Sequence, residues 1–352
     1  MRWHIHFYSR KRFGAWPDLP NLTGEDISRI QARFRTGVDV WIIQTCLQLA
    51  PALRQMGHKV TASPEVPAGS LLIAHRDDLG TLFSGLHRCF IVCVRADRAP
   101  APVAHVEILQ NGLDLAREHE IFLPSWPQPG LIPRDAAREG QMLRMAYFGR
   151  QDSLPHWFSD TEFLEQLVAR QISFEIRHKA WHDYHDIDLV LAHRTEAPTM
   201  LRQKPGTKLC NAWLAGVPAL LSPEPEYQRL REHPDDFIEI ESPADVLAAI
   251  DMLRVDPRRY AAMRARCAVR APAFRAEAVA ERWLEALTGF VGEQYMHWQA
   301  CGTRSWFAHA WRLRAQKAAS AVFRAQIAEE LKRMNAPAPV RLREPAVVSQ
   351  KH

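Results

Sequence analysis

Short apolar runs and amphipathic stretches alternate along most of the chain. In residues 38–56, apolar side chains recur near helical spacing, and Gly57 follows where a helix C-terminal cap belongs, so we predict a helix there. Apolar runs bounded by turn residues predict strands at residues 2–8, 59–62, 70–74 and 89–94. Strands that are apolar throughout and are separated by helices are typical of a parallel sheet in an α/β domain.

A proline-rich segment, residues 122–134, interrupts this pattern. It holds four prolines in thirteen residues, which excludes a helix or a central strand and predicts an inter-domain connector that acts as a hinge. A second series follows, with predicted strands at 143–148, 172–176, 189–192 and 217–221 and predicted helices at 162–170, 208–215, 244–253 and 256–287. We therefore predict two Rossmann-like α/β domains, residues 1–134 and 135–287, and a helical tail over residues 288–352.

Composition narrows the class of protein. A chain of 352 residues, 47% of them hydrophobic, is long enough for two packed domains and too apolar for global disorder. It has no apolar run of the ~18–20 residues that a membrane span needs, and residues 1–8 lack the hydrophobic stretch of a secretory signal. We therefore expect a soluble, cytoplasmic protein. Six cysteines without a CxxC pair favour buried thiols over a disulfide framework or a zinc site.

The positive charge lies in the tail. The chain has a net charge of +5, and residues 289–352 hold ten Lys or Arg against four Asp or Glu, which leaves the body close to neutral. Nucleic-acid binding is therefore not expected. Trp298, Trp306 and Trp311 alternate with arginines there, a pattern that suits peripheral contact with the anionic inner face of a membrane. The alternative is a helix that packs its aromatic residues on the domains and keeps its arginines in water.

The segment of residues 204–221 carries the clearest chemistry. A loop with Gly206 opens a predicted two-turn helix, and Lys204, Thr207 and Lys208 lie beside the free N–H groups at its start. Helix N-termini flanked by cations bind phosphate or diphosphate, and such ligands bind at the carboxyl edge of a parallel sheet. Asn211, one turn further on, can face the same cleft.

Residues 208–220 resemble the donor-binding half of GT-B glycosyltransferases. That group carries a K-x-x-E-A-x-A-x-G-x-P-V-(I/V) stretch at its nucleotide-sugar site, and this chain reads KLCNAWLAGVPAL. Residues 146–150 resemble the strand and loop that open the C-terminal domain of that fold. Residues 183–191 resemble the passage from a helix to a strand that precedes its donor loop. The resemblance, to the family 4 or group 1 type, departs at one point: Gln203 and Asn211 stand where many members have two glutamates, and amides bring no charge.

The resemblance implies two sets of site residues. The second domain would hold the donor through a cationic and polar set: Gly149, Arg150, Arg194, Lys204, Thr207, Lys208, Asn211 and Glu224. The first domain would bind the acceptor, and an inverting reaction needs a carboxylate or histidine as general base near the acceptor hydroxyl. Asp97, His75 and Asp77 follow predicted strands and are the candidates. The alternative for all three is loop capping or pairing with neighbouring arginines.

The expected activity is transfer of a hexose-type residue from a nucleotide-diphosphate sugar to a saccharide or lipid-linked acceptor, as in polysaccharide biosynthesis. No metal and no cofactor other than this co-substrate is expected. A nucleotide-sugar 2-epimerase of the same fold is one alternative. Another is a non-catalytic GT-B module that binds membrane or a partner through its tail. His178, His182 and His185 have the spacing of one helical face, which suits either a metal site or polar residues in solvent or the cleft.

Overall fold

The computed structural model describes residues 2–80, 85–113, 115–150, 154–301 and 305–335, and within them two parallel sheets form two α/β domains. The first sheet has the order β2-β1-β3-β4-β5-β6. Its strands are β1 (His4–Tyr8), β2 (Lys59–Ser63), β3 (Leu71–His75), β4 (Phe90–Val94), β5 (Val106–Leu109) and β6 (Glu120–Phe122). Every pairing in it is parallel, and the four strands predicted for this domain are confirmed.

Two strands of the first sheet were not predicted. β5 reads Val-Glu-Ile-Leu and buries Glu107, so a charged residue interrupts its apolar run. β6 has only three residues and begins with the buried Glu120. A single-sequence pattern treats such glutamates as surface residues, because charged groups are buried only when they are paired.

The chain between β1 and β2 forms two α-helices whose buried residues pack in the first domain's core. They are α1 (Ile27–Ile30) and α2 (Gln44–Gln55). The helix predicted over residues 38–56 is therefore confirmed, with a π-helical turn (Asp39–Ile43) before α2. Gly57, at φ +85°, follows α2 in the left-handed conformation that favours glycine.

The second sheet has the order β11-β10-β9-β7-β8, again parallel throughout. Its strands are β7 (Arg144–Phe148), β8 (Ser173–Arg177), β9 (Leu189–Ala192), β10 (Ala219–Leu221) and β11 (Ile238–Glu239). Its helices are α3 (Thr161–Ala169), α4 (Pro198–Leu201), α5 (Thr207–Ala215), α6 (Pro225–Leu230), α7 (Pro243–Val255) and α8 (Pro257–Arg270). The predicted two-domain α/β architecture with parallel sheets is confirmed by this topology.

The proline-rich connector ends in a buried ionic cluster of the second domain. Ile132 forms a parallel bridge with Asp183, and the Arg134 guanidinium donates to the Asp188 carboxylate at 2.8 Å. Asp188 also accepts bonds from the backbone N–H groups of residues 143 and 144. The connector is therefore fastened to the start of β7.

The last helices return to the first domain. They are α9 (Ala276–Thr288), α10 (Phe290–Cys301) and α11 (Trp306–Met334). Helix α9 falls inside the range predicted for the second domain, 135–287, yet its buried residues Val279, Trp283 and Leu287 belong to the first domain's core. The alanine- and arginine-rich pattern of 256–287 identifies helices, but it does not identify the core against which each one packs.

Helix α11 spans both domains. Its 29 residues correspond to roughly 43 Å of helix. Gln316 donates to the backbone carbonyl of Leu79 in the first domain, and Glu330 accepts from the backbone and hydroxyl of Thr199 in the second. Within the described ranges, no helix combines the length and apolar character needed to cross a membrane.

Candidate functional site

A cavity of about 280 Å³ lies at the carboxyl edge of the second sheet. The chain leaves β7 for β8 on one side and then returns to place β9 on the other side. The crevice between the ends of β7 and β9 is therefore a topological switch point, where α/β sheets bind their ligands. Seven of the eight predicted donor-site residues line this cavity: Gly149, Arg150, Arg194, Lys204, Thr207, Lys208 and Asn211.

The eighth predicted residue, Glu224, lies behind the cavity wall. It is buried at the N-cap position of α6, where its carboxylate accepts a bond from the Arg194 guanidinium and another, at 3.2 Å, from the Ser222 hydroxyl. Glu224 therefore positions Arg194, which itself faces the cavity.

Lys208 is the second residue of α5, and its side chain is half-buried at the cavity. Its ammonium nitrogen lies 4.9 Å from the centre of the Tyr147 ring. Burial, and next the positive charge of Arg194, lower the pKa of Lys208 to about 7. An anion in the cavity would favour the charged form of this lysine and raise its pKa.

The N-terminus of α5 is shaped by a glycine. A Cβ on Gly206 would lie 2.6 Å from the Cδ1 atom of Leu230 in α6, so any larger residue would require that side chain to shift. Thr207, the first helical residue, lies 3.1 Å from the Ser125 hydroxyl in the connector. The predicted helix over 208–215 is confirmed, and it ends at Gly216 in the left-handed conformation at φ +71°.

The two amides that replace glutamates form bonds across the cleft. Arg95, at the end of β4, donates to the Gln203 side-chain oxygen at 2.5 Å. The backbone N–H of Gln128, in the connector, donates to the Asn211 side-chain oxygen at 3.1 Å. Both amide oxygens thus hold α5 and the loop before it against the first half of the chain.

Lys204 also reaches across the cleft. Its ammonium group lies 3.0 Å from the Asp97 carboxylate of the first domain and 3.1 Å from Glu196 of the second. Burial alone would raise the pKa of Asp97, but Lys204 and Arg98 outweigh it and lower that pKa. Of the three candidate bases, Asp97 contacts a residue that lines the cavity.

The other two candidate bases engage local partners. The Nδ1 atom of His75, at the end of β3, accepts a bond from the backbone N–H of Asp77 at 3.2 Å. The neutral ring then carries its proton on Nε2, and burial lowers the pKa of His75. Asp77 pairs with Arg98 at 3.1 Å. Both contacts match the capping and ion-pair alternative weighed in the sequence analysis.

Three histidines do not form the helical face that their spacing predicts. Residues 178–188 fold as turns rather than as a helix, so the helix expected before β9 is wrong, while the strand itself is confirmed. The Asp183 carboxylate accepts the backbone N–H of His185, and the Asp183 backbone is engaged by Ile132 and Arg177. These bonds take backbone groups that a helix would need. Among the described residues, no group of three side chains is placed to hold a metal ion.

Several cavity residues were missed in the sequence analysis: Gln128, Tyr147, Phe148, Trp181, Tyr184 and Glu196. Tyr147 and Phe148 precede the predicted Gly149, so their place at a strand end was a usable signal. Gln128 comes from the connector, and no sequence pattern links it to residues 207–211. The sequence predicted buried free thiols, and the structure agrees for five of the cysteines. They are Cys46, Cys89, Cys93, Cys210 and Cys267.

No protein-family model and no curated protein sequence matches the chain. Solved structures with a similar fold include Anabaena HepE in complex with UDP and glucose, at 13% identity and a TM-score of 0.46, covering 82% of this chain and 100% of that one. TarM is 13% identical with a TM-score of 0.44 and coverage of 61% and 54%. Sucrose-phosphate synthase from Thermosynechococcus elongatus is 12% identical with a TM-score of 0.43 and coverage of 63% and 74%. With every one of these TM-scores below 0.5, no activity is carried over from them to this chain.

Proposed function

We propose that the protein is a glycosyltransferase that binds a nucleotide-diphosphate sugar in the cavity at the ends of β7 and β9. It would transfer a hexose-type residue to a saccharide or lipid-linked acceptor held by the first domain. The observation that carries the proposal is the concentration of positive charge at a topological switch point. Arg194, Lys204 and Lys208 face one cavity beside the N-terminus of α5.

This arrangement suits the departure of a nucleoside diphosphate. When the sugar–phosphate bond breaks, negative charge develops on the leaving diphosphate. Fixed cations and a helix N-terminus stabilise that charge without having to reorganise. The cations can therefore neutralise the leaving group without a protein-bound metal.

The first domain would supply the base for an inverting reaction through Asp97. In the unliganded protein, Lys204 helps to hold the pKa of this carboxylate low, which makes it a weak base. A diphosphate that draws Lys204 towards the cavity would weaken that pairing and raise the pKa of Asp97. Donor binding would thereby prepare the base for the acceptor hydroxyl.

The same lining is less suited to an epimerase. Such chemistry needs several acid and base groups around the sugar, and the described lining of the cavity includes one carboxylate, Glu196, and no histidine. Bonding of Gln203 and Asn211 across the cleft is the observation that favours the non-catalytic module, because it gives both amides a structural role.

The test is thermal stabilisation of the protein by UDP-, GDP-, ADP-, TDP- and CMP-sugars. A ligand at about 100 times its dissociation constant adds about 2.7 kcal/mol, which shifts the melting temperature measurably. We expect a shift with one nucleotide that Lys208→Ala abolishes and that the exposed-site control Lys59→Ala retains. Turnover with added acceptor then separates transferase from module. No shift with any of these ligands would refute the proposal.

A further inference from the structure

Helix α11 presents different chemistry on its two sides. The side that faces the first domain buries His309, Leu313 and Gln316, and Ser320 accepts a bond from Arg76. These four positions are three or four residues apart, so they lie on one face of the helix. This inner face fastens α11 to the protein.

The opposite side of α11 is mainly apolar and faces solvent. Successive residues of a helix are rotated by about 100° around its axis. On this spacing, the side of α11 opposite the inner face is formed by Phe307, Trp311, Arg314, Ala318 and Val322. We call these five residues the outer face of α11. Phe307 is 79% exposed, Trp311 is 72% exposed, and Val322 and Ala318 are also exposed. Large exposed aromatic residues in a row mark an interaction surface rather than scattered surface apolarity.

The charges on α11 are of one sign over most of its length. Between positions 306 and 327 the helix has no acidic residue and four basic ones. Arg314, Lys317 and Arg324 are exposed, whereas Arg312 lies against His105 in the first domain. Of the three exposed cations, Arg314 lies on the outer face, Lys317 lies on the flank about 110° from its centre, and Arg324 lies nearer the inner face. The positive charge on and beside the outer face favours an anionic partner.

We propose that the outer face of α11 docks the protein on an anionic lipid bilayer, with the helix lying flat in the headgroup region. Aromatic side chains insert at the boundary between headgroups and acyl chains, and flanking Lys and Arg residues are attracted to anionic headgroups. The stretch from Phe307 to Val322 is about 22 Å long, enough for several headgroup contacts.

A second copy of this chain fits the outer face less well. A symmetric pairing through the outer face would place Arg314 of both copies in the interface, and like charges at an interface oppose association. An anionic membrane accepts the apolar and the basic groups together.

The experiment is flotation of the full-length protein with vesicles of phosphatidylcholine alone or with 30% phosphatidylglycerol, a readout that does not depend on nucleotide-sugar binding. We expect binding to the anionic vesicles and at least tenfold weaker binding to the neutral ones. Phe307→Ser/Trp311→Ser should lower binding to the anionic vesicles at least tenfold. A matched control, Val168→Ser/Val255→Ser, removes two equally exposed apolar residues from the second domain and should leave binding unchanged.

Charge and self-association are tested separately. Each cation near an anionic surface contributes about 1 kcal/mol, so Arg314→Gln/Lys317→Gln should weaken anionic binding more than tenfold. The melting temperature of each variant reports that it is folded. Equal binding by the wild type and the aromatic variant would overturn the proposal. So would a wild-type dimer in sedimentation that the aromatic variant converts to a monomer, because a second copy would then cover the outer face.

Discussion

In the second-domain half of the cleft, Arg194, Lys204 and Lys208 converge on one cavity, whereas in the first-domain half the buried charges are paired with each other. Arg95 lies 3.2 Å from Glu120 and 3.9 Å from Glu107. The lining of the second-domain half holds four cationic residues, Arg150, Arg194, Lys204 and Lys208, against one carboxylate, Glu196. It therefore has more cations than anions even though Arg194 is also paired with Glu224 and Lys204 with Asp97. A ligand that supplies negative charge therefore belongs in the second domain.

The largest effect on the free energy of unfolding should come from breaking the buried pair of Arg194 and Glu224 in the second-domain half. Arg194→Met leaves the buried Glu224 carboxylate uncompensated, and removing one partner of a buried pair costs about 3–5 kcal/mol. The free energy of unfolding in urea measures this loss. The double variant Arg194→Met/Glu224→Gln removes both charges and should recover most of the stability. A loss below about 1 kcal/mol in the single variant would show that the pair is not isolated from water.

Lys208 should behave in the opposite way. Its burial disfavours the charged form, so Lys208→Met should leave the unliganded protein as stable as the wild type or more stable. The same variant should bind a nucleotide sugar at least tenfold more weakly, because a cation at the diphosphate is lost. Calorimetric titration measures the affinity, and Lys59→Met is the exposed control. Unchanged affinity in the Lys208 variant would separate this lysine from the ligand.

The pH dependence of binding should follow the lowered pKa of Lys208. Above its pKa of about 7 this lysine must take up a proton to meet the diphosphate, so affinity should fall up to tenfold per pH unit as the pH rises. The free energy of unfolding of the unliganded protein should instead rise with pH. The unfolded chain holds this proton up to pH 10.5, so the folded state gains stability as the pH rises from 7 towards that value. Lys208→Met should remove both trends, and a pH-independent wild-type affinity would contradict the assignment.

The smallest effect on the free energy of unfolding should come from the Asp97–Lys204 pair, which joins the two halves of the cleft. Asp97 and Lys204 are partly exposed, and pairs of this kind contribute about 0.2–1 kcal/mol. A double-mutant cycle with Asp97→Asn and Lys204→Gln measures their coupling through the free energy of unfolding. We expect a coupling in this range without ligand and a smaller one with bound nucleoside diphosphate. Equal coupling in both states would mean that donor binding does not release Asp97.

Much of the second-domain half of the cleft was predictable because it is local in sequence. Gly206, Thr207 and Lys208 form a continuous stretch, and Arg150 and Arg194 each follow a predicted strand. Residues at the ends of neighbouring parallel strands meet at one edge of the sheet, so their convergence follows from strand order. The first-domain half was less predictable, because Asp77 and Asp97 have the same sequence context and only their partners distinguish them.

By itself, the sequence determined the alternation of strands and helices, the connector between the domains and the cationic stretch that opens α5, since each is a pattern among near neighbours. The tertiary structure alone decided that α9 joins the first domain's core, that Gln203 and Asn211 bond across the cleft, and which side of α11 faces water. The physical reason is that periodicity encodes which residues of an element are buried. The identity of the covering surface depends on packing between segments far apart in the chain.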